Sequence, residues 1–312
     1  MASPVQLSER VYYLPGGVNT AVVRVADGGA VLVDTGQDKD YGRKLRKACE
    51  ELGVKPVAII NTHAHADHYG GNDYLLRQFD VPVYALPTEA SLMQSPYLEP
   101  VYLFGGAKPP KELLSKWLLA KPSRVDHILE EGSLELSGAT FDILDTSGHA
   151  HRQISLVVDG VLLAADALFG ASVLQTYPLP FGQDVERQIT SAEKLKSVDI
   201  ETVLPGHGDP SADLLDMVEA NLAAFTRAAE TVLRHASGSA DDILVKVCAE
   251  LGVTMTDLPR YFLNRCVLNA YLSYLRDKGK LEPVLDNNRL IWKKLEVENK
   301  KVRKGLAVPS AS

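Results

Sequence analysis

The sequence reads His63-Ala64-His65-Ala66-Asp67-His68 directly after the apolar run Val57-Ala58-Ile59-Ile60, so four metal-capable side chains fall within six positions. In a strand, His63 and His65 would point to the same face, because side chains alternate with a period of two. A helix that begins near Asp67 would direct Asp67 and His68 elsewhere, toward a second centre. Crowded imidazoles without a cation would lose hydration and gain nothing, so the stretch predicts a metal site.

The chain has 312 residues, enough for one large or two ordinary domains with a sizeable core. Its first ten residues carry no apolar signal region, and no stretch approaches 18 uninterrupted apolar residues. We therefore expect no membrane span, and a cytoplasmic location follows by default. Cys49, Cys248 and Cys266 lack CxxC spacing and are expected to be reduced, buried thiols.

Charge is unevenly distributed along the chain. Residues 1–212 hold 18 Lys and Arg against 27 Asp and Glu, whereas residues 213–312 hold 15 against 13. An acidic first part is expected where carboxylates gather around cations. The basic C-terminal end is expected to be a solvated tail rather than a nucleic-acid contact; it comprises Lys293, Lys294, Lys300, Lys301, Arg303 and Lys304.

Short β-rich runs alternate with helical patterns up to about residue 209. Strands in two series, the second resuming at residues 125–129, predict two sheets face to face with helices outside. Residues 87–124 are rich in Pro, Gly and aromatic side chains. We interpret them as a partly helical lid or substrate wall, with plain surface packing as the alternative.

After residue 210 the pattern changes to long helices over residues 212–235, 239–251 and 261–278, followed by two short strands around the turn at Asn287-Asn288. Helices followed by a hairpin resemble a winged-helix unit. The sequence therefore predicts a catalytic domain over residues 1–212 and a helical, winged-helix-like domain over residues 213–312.

Four further segments place a polar residue at the end of an apolar strand, where loops of a sandwich would converge on one rim. An Asp after a strand is a routine turn residue, so each segment alone is a weak signal. Together with the histidine-rich stretch they are a strong one. The segments are Val31-Leu32-Val33-Asp34-Thr35-Gly36, Ile143-Leu144-Asp145-Thr146-Ser147-Gly148-His149, Leu162-Leu163-Ala164-Ala165-Asp166 and Val203-Leu204-Pro205-Gly206-His207-Gly208-Asp209.

With these five motifs in order over roughly residues 10–210, the chain resembles the metallo-β-lactamase fold superfamily of hydrolases. The resemblance implies an α/β fold, a four-layer αββα sandwich, that binds two divalent transition metal ions. It assigns His63, His65 and His149 to the first metal. It assigns Asp67, His68 and His207 to the second, with Asp166 bridging both.

The donor set agrees with that division. Imidazoles with carboxylates suit zinc, iron or manganese, of which zinc is our first expectation, and the absence of cysteine argues against a closed structural zinc. Two cations about 3.5 to 4 Å apart share a hydroxide and lower the pKa of water from about 15.7 to near 7. The expected nucleophile is therefore a metal-bound hydroxide rather than a protein side chain.

Five residues have expected roles around the metals. Asp67 would orient the hydroxide as well as bind metal, which makes it the candidate catalytic residue. Asp34 is expected to accept a hydrogen bond that fixes a histidine or a loop, with a plain turn Asp as the alternative. Many relatives carry Pro-Gly-His spacing after the metal ligand, whereas this chain has His151-Arg152-Gln153. Either His151 or Arg152 can therefore face an anionic part of the substrate. Tyr177 is a further candidate substrate contact.

Aromatic residues near residues 97–117, with Phe169, Tyr177 and Phe181, indicate an apolar wall with room for an acyl or aryl group. We therefore expect hydrolysis of an ester, lactone or related acyl bond, with possible promiscuity toward phosphoesters. The alternatives are a glyoxalase II-type thioesterase, a ribonuclease or phosphodiesterase with a basic tail, a persulfide dioxygenase with one iron, and a non-catalytic binding module. The expected partner is a small-molecule substrate; nucleic acid is disfavoured by the acidic first part, and a homodimer remains open.

Overall fold

The structure is a computed structural model and describes residues 3–295. Within them, Lys293 and Lys294 lie in the last strand. The other members of the predicted basic tail, Lys300, Lys301, Arg303 and Lys304, lie outside the described residues.

The first sheet has seven strands that follow one another in chain order. They are β1 (Val5–Gln6), β2 (Val11–Leu14), β3 (Thr20–Arg24), β4 (Gly29–Val33), β5 (Lys55–Ile60), β6 (Val83–Ala85) and β7 (His127–Ile128). Strands β1 to β4 pair antiparallel, and β4 to β7 pair parallel. The sequence assigned β7 to the second series of strands; this was wrong, because His127 pairs with Tyr84 at the edge of the first sheet.

The second sheet has five strands in the spatial order twelve, eleven, ten, nine, eight. They are β8 (Gly132–Leu136), β9 (Ala139–Asp145), β10 (Ile154–Val158), β11 (Val161–Phe169) and β12 (Thr202–His207). Neighbours pair antiparallel except β11 and β12, which are parallel. Every residue of β11 is buried, as expected for an inner strand of a covered sheet.

The two sheets pack face to face over a shared apolar core that contains Val31, Ile60, Phe141, Leu156 and Leu163. Helices lie outside the two sheets: α1 (Lys39–Leu52), α2 (Ala66–Tyr69), α3 (Asn72–Leu76), α4 (Pro87–Gln94), α5 (Leu98–Leu103), α6 (Ala171–Thr176) and α7 (Val185–Leu195). The α1 side chains pack on the first sheet, and those of α7 pack on the second. The predicted αββα sandwich is therefore confirmed.

Up to residue 295, three helices and a hairpin follow the sandwich, as predicted: α8 (Leu214–His235), α9 (Ala240–Leu251), α10 (Leu258–Asp277), β13 (Leu281–Asp286) and β14 (Arg289–Lys294). Their core includes Phe225, Leu244 and Tyr271, together with Phe169 and Leu174 from the sandwich. The C-terminal unit thus shares a core with the sandwich, and the proposed boundary at residue 212 stays a prediction.

Residues 87–124 form α4, α5 and a short 3₁₀ helix, Lys111–Leu114. Charged pairs connect the end of the segment to helices of the first sheet, including Lys116 with Asp38 at 2.9 Å and Lys121 with Asp73 at 3.3 Å. On its other side the Phe104 ring lies 5.2 Å from that of Phe262 in α10. The segment therefore packs against both the sandwich and the C-terminal unit.

The cysteines are free thiols: Cys49 and Cys248 are buried, and Cys266 is half-buried. Burial raises the pKa of Cys49 to about 12, so this thiol stays protonated at neutral pH. Within residues 3–295, no helix is long and apolar enough to cross a membrane.

Candidate metal centre

The residues that follow β5 belong first to a loop and then to a short helix. The loop beyond the strand carries His63 and His65. Helix α2 begins at Ala66, so Asp67 and His68 lie in its single turn. The helix expected near Asp67 is therefore present, and it separates the two pairs of side chains.

Three further side chains reach the same edge of the sandwich. His149 lies in the loop between β9 and β10, Asp166 lies in β11, and His207 is the last residue of β12. Among residues 3–295, three overlapping groups have ligand atoms within 4.8 Å of one another, a spacing at which they can hold a metal ion. The first is His63, His65 and His149, the three-histidine group; the second is His63, His68 and Asp166; the third is Asp67, His68 and His207, the mixed group.

The three-histidine group presents three ring nitrogens to one point. His65 Nδ1 lies 3.0 Å from His63 Nε2 and 2.9 Å from His149 Nε2. Burial lowers the pKa of all three histidines, that of His65 to about 3. The imidazoles are therefore neutral at physiological pH, which is the form that binds transition metals.

The side chain of Asp166 lies between the three-histidine group and the mixed group. Its Oδ2 is 3.1 Å from His149 Nε2 and 3.3 Å from His207 Nε2, and its Oδ1 is 3.3 Å from His68 Nε2. In the mixed group, His207 Nε2 is also 3.5 Å from Asp67 Oδ2. The carboxylate of Asp166 thus faces ligand atoms of both groups, the geometry required of a bridging residue.

Two buried atoms at this point fit a cation. His68 Nε2 and Asp166 Oδ1 lie 3.3 Å apart without the geometry of a hydrogen bond, and neither has a hydrogen-bond partner among the described residues, although both are shielded from solvent. Burial opposes protonation of His68, but Asp166 and Asp34 raise its pKa well above the ordinary value. Buried carboxylates that attract protons so strongly also attract metal ions, and a cation here would satisfy both atoms.

The histidines are oriented by hydrogen bonds from their outer nitrogens. The Nδ1 of His149 lies 3.3 Å from the Phe181 carbonyl oxygen, and the Nδ1 of His207 contacts the Gly17 carbonyl. Nδ1–H donation to these oxygens leaves Nε2 of the neutral ring as a lone pair aimed at the centre, an arrangement common for metal-binding histidines.

Asp34 occupies the corresponding place behind His68. Its Oδ2 lies 2.8 Å from His68 Nδ1 and 2.8 Å from Thr62 Oγ1, and its Oδ1 accepts the Thr62 N–H at 2.9 Å. The residue has a left-handed backbone with φ of 59°, a conformation that non-glycine residues adopt mainly where surrounding contacts require it. This geometry fits the acceptor role rather than that of a plain turn residue.

Gly206 explains why a glycine precedes His207 in the last motif. A Cβ at this position would lie 1.9 Å from Asp166 Oδ1 and 2.9 Å from the backbone carbon of Ala165. A larger residue would therefore displace the strand that carries Asp166. Ala165 has a φ of 48° at an irregularity in the pairing of β11 with β12, which also sets the position of Asp166.

Three buried residues support the site but were not identified from the sequence. Glu89 in α4 accepts the Ala64 N–H at 2.8 Å. Gln188 in α7 donates to the Asp166 carbonyl at 2.9 Å, and Asn221 in α8 accepts the Phe169 N–H at 2.9 Å. Each is one of several polar residues in its helix, so only the burial of these positions would have distinguished them from their neighbours.

The candidate substrate contacts are differently situated. The Arg152 guanidinium lies 3.1 Å from Asp145, so its charge is engaged there. His151 is exposed, and its carbonyl accepts a hydrogen bond from Arg187 at 3.3 Å. Tyr177 is 65% exposed at the end of α6. Their contact with a substrate stays a prediction.

Two aromatic rings pack against the histidines. The Phe181 ring lies 5.6 Å from His65 and 5.2 Å from His149, and the Phe169 ring lies 5.7 Å from His149 and 6.3 Å from His207. Phe169 also belongs to the core of the C-terminal unit, and Phe181 packs against that core. One side of the candidate centre is therefore apolar.

Known proteins resemble both the sequence and the fold. A family model described as the metallo-beta-lactamase superfamily matches residues 13–207. The probable metallo-hydrolase YqgX of Bacillus subtilis is 30% identical over 202 residues, which cover 63% of this chain and 88% of that relative. A hydroxyacylglutathione hydrolase of Xanthomonas campestris is 32% identical over 143 residues, which cover 46% of this chain and 43% of that relative.

Two crystal structures share the fold over nearly the whole chain, including the C-terminal unit. A beta-lactamase domain protein from Burkholderia ambifaria has a TM-score of 0.70 at 19% identity and covers 94% of this chain and 93% of its own. A metallo-beta-lactamase family protein from Thermus thermophilus has a TM-score of 0.70 at 22% identity, with coverage of 95% and 98%. With a family model that spans more than half of its residues, the chain belongs to the metallo-beta-lactamase superfamily and is a metallo-hydrolase.

Proposed function

We propose that this metallo-hydrolase binds two divalent transition metal ions, zinc first among them, and cleaves an ester, lactone or related acyl bond. The observation that carries the proposal is the position of Asp166 between two groups of ligand atoms, beside the apolar wall of Phe169 and Phe181. Metal ions bound there would lower the pKa of a water molecule and polarise the scissile carbonyl.

Asp67 is the residue that we propose to orient the attacking water. Its side chain is 33% exposed, whereas that of Asp166 is 3% exposed, so Asp67 is accessible to solvent that enters the site. Burial opposes its ionisation, but His68 and His207 lower the pKa of Asp67. An ionised carboxylate at this place accepts a hydrogen bond from water and holds it in a fixed direction.

The surroundings favour a neutral acyl substrate over a phosphoester. Phe169 and Phe181 line the histidines, and the arginines beside the His149 loop are turned to Asp145: Arg152 at 3.1 Å and Arg187 at 3.8 Å. A phosphate is usually recognised by arginine forks or free backbone N–H groups. Both guanidiniums are paired with Asp145, so apolar contact with the two phenylalanines is the larger contribution to the binding energy of a substrate.

A glyoxalase II-type thioesterase is the second candidate, supported by the Xanthomonas relative named as a hydroxyacylglutathione hydrolase. That relative is covered over only 43% of its length. The ribonuclease alternative gains less support: α10, the third helix of the C-terminal unit, packs its Phe262 on Phe104, where a nucleic-acid-reading helix would need a free face. A persulfide dioxygenase would hold one iron rather than two metals.

A substrate panel on metal-analysed protein tests the proposal. We expect para-nitrophenyl esters and lactones to be turned over with higher kcat/KM than S-lactoylglutathione, phosphodiesters or RNA. Asp67→Ala protein is the matched control for contaminating esterases. Preferred cleavage of the thioester would favour the second candidate, and a single tightly held iron with oxygen consumption would contradict hydrolysis.

A further inference from the structure

Glu89 is a buried carboxylate that neither the metal groups nor the proposed reaction uses. It lies in α4, the first helix of the 87–124 segment, and is 1% exposed. The charge of Arg152 favours its ionisation, but the Arg152 guanidinium forms its ion pair with Asp145, at 3.1 Å. Burial of a carboxylate whose nearby cation is engaged elsewhere is costly, so the position calls for a role that offsets the cost.

The two oxygens of Glu89 bind two separate loops. Oε2 accepts the backbone N–H of Ala64 at 2.8 Å, and Oε1 accepts the backbone N–H of Arg152 at 3.2 Å. Ala64 stands between His63 and His65, and Arg152 follows His149 by three positions. One carboxylate therefore connects the two loops that supply the three-histidine group.

An ionised carboxylate is the side chain that these contacts require. Each of the two N–H groups needs an acceptor, and Glu89 supplies two acceptor oxygens and no donor. A glutamine offers only one oxygen, and its NH₂ group would face the other N–H. Burial raises the pKa of Glu89 to about 7, although the N–H groups of Ala64 and Arg152 lower it in part. A nearby cation would favour the ionised form and be favoured by it in turn.

We propose that Glu89 is a positioning residue for the three-histidine group: it holds the His63–His65 loop against the His149 loop, and its negative charge complements a cation bound by these histidines. The proposal rests on the proposed function in one respect, namely that a metal ion binds at this group. It assigns to the 87–124 segment a part in metal binding, in addition to its contacts with the sandwich and the C-terminal unit.

Metal titration of chelator-stripped protein tests the proposal without reference to activity. Competition with a zinc-binding dye gives a dissociation constant for each bound ion. We expect Glu89→Gln to weaken one ion by about 10 to 100-fold, the usual effect of removing a partner behind a metal site, and to leave the other within about 3-fold. Asp126→Asn is the matched control, because Asp126 also accepts a backbone N–H, that of Val83 at 2.8 Å, away from both loops.

A double-mutant cycle identifies the affected ion. In a His149→Ala background, where the three-histidine group is already broken, Glu89→Gln should cause no further weakening of the remaining ion. If Glu89→Gln does not fold, Glu89→Asp keeps the charge and should weaken the same ion by a smaller factor. Unchanged constants in the folded variants would overturn the role of Glu89 and leave the proposed function intact. Wild-type protein that binds no zinc would instead overturn the proposed function itself.

Discussion

The three-histidine group and the mixed group lie side by side but differ in electrostatics. In the first, burial lowers the pKa of His63, His65 and His149, so these rings are neutral without assistance. In the second, burial is outweighed by carboxylates: Asp166 chiefly raises the pKa of His207 to about 9. A cation would bind the first group without displacing protons, whereas it would have to replace protons in the second.

The two groups also differ in what holds them. The three-histidine group is supported by backbone contacts from other elements, through Glu89 and the Phe181 carbonyl. The mixed group has a charged partner, Asp34, directly behind His68. Residues 63–68 thus contribute to both groups, because α2 begins at Ala66 and separates Asp67 and His68 from the histidines of the loop.

Loss of the shared residue should have the largest effect. Asp166→Ala removes the carboxylate that faces both groups, and we expect binding of both ions to weaken and kcat/KM to fall by at least about 10³-fold, equivalent to roughly 4 kcal/mol of transition-state stabilisation. Metal stoichiometry by mass spectrometry, measured with hydrolysis rates, checks this. Asp142→Asn, in strand β9 of the same sheet, is the control; loss of only one ion from Asp166→Ala would show that the groups are independent.

Breaking one group at a time should sharpen the contrast. His149→Ala and Asp67→Ala should each reduce hydrolysis by about 10³-fold while leaving the fold intact, because each removes one ligand from a different group. Each variant is expected to retain one ion. Circular dichroism verifies folding, and unchanged turnover in either variant would contradict the mechanism.

Removing the charge behind His68 should act on the mixed group alone. Asp34→Asn keeps the shape but weakens the acceptor for His68 Nδ1, so we expect about 10 to 100-fold weaker binding of one ion. Equal weakening of both ions would indicate that the two groups are not separately supported. Zinc competition titration of this variant beside Glu89→Gln gives the direct comparison.

A smaller effect is expected from the C-terminal unit. Asn221 in α8 is fully buried and bonds both the N–H and the carbonyl of Phe169, each at 2.9 Å. Asn221→Leu leaves these groups without a partner, which should cost about 1 to 3 kcal/mol of unfolding free energy. We expect kcat/KM to fall by less than about 10-fold, measured alongside urea denaturation. An unchanged midpoint would argue against this connection.

The smallest effect is a pH dependence at Glu89. Its pKa is raised from 4.5 to about 7 in the folded protein, so its contribution to stability is present below pH 4.5 and is lost as the pH rises through 7. In metal-free protein, Glu89→Gln should therefore gain stability relative to the wild type as the pH rises from about 5 to about 8. Urea denaturation at several pH values checks this; a constant difference would contradict the raised pKa.

The sequence indicated the residues of the candidate site where local pattern and chemistry coincide. His63 to His68 form a dense cluster, Asp34 follows an apolar strand and His207 ends one, so spacing alone was informative. Asp166 was expected at the end of a strand; this was wrong, because β11 continues beyond it to Phe169. The convergence of these residues at one edge of the two sheets followed from the predicted sandwich fold.

Other features depend on tertiary contacts that spacing does not encode. Glu89 stands among polar positions of a short helix, and nothing local indicates that it is buried. The engagement of Arg152 by Asp145 likewise joins residues of different elements. By contrast, the start of α10 at Leu258, three residues before the predicted one, had a local signal, because Asp257 caps the helix and Pro259 fits its first turn.

Anomalous diffraction from zinc-soaked crystals tests the central claim most directly. We predict two zinc peaks about 3.5 to 4 Å apart, one at the three-histidine group and one at the mixed group, with Asp166 between them. Peaks elsewhere, or no peak beside these histidines at saturating zinc, would contradict it.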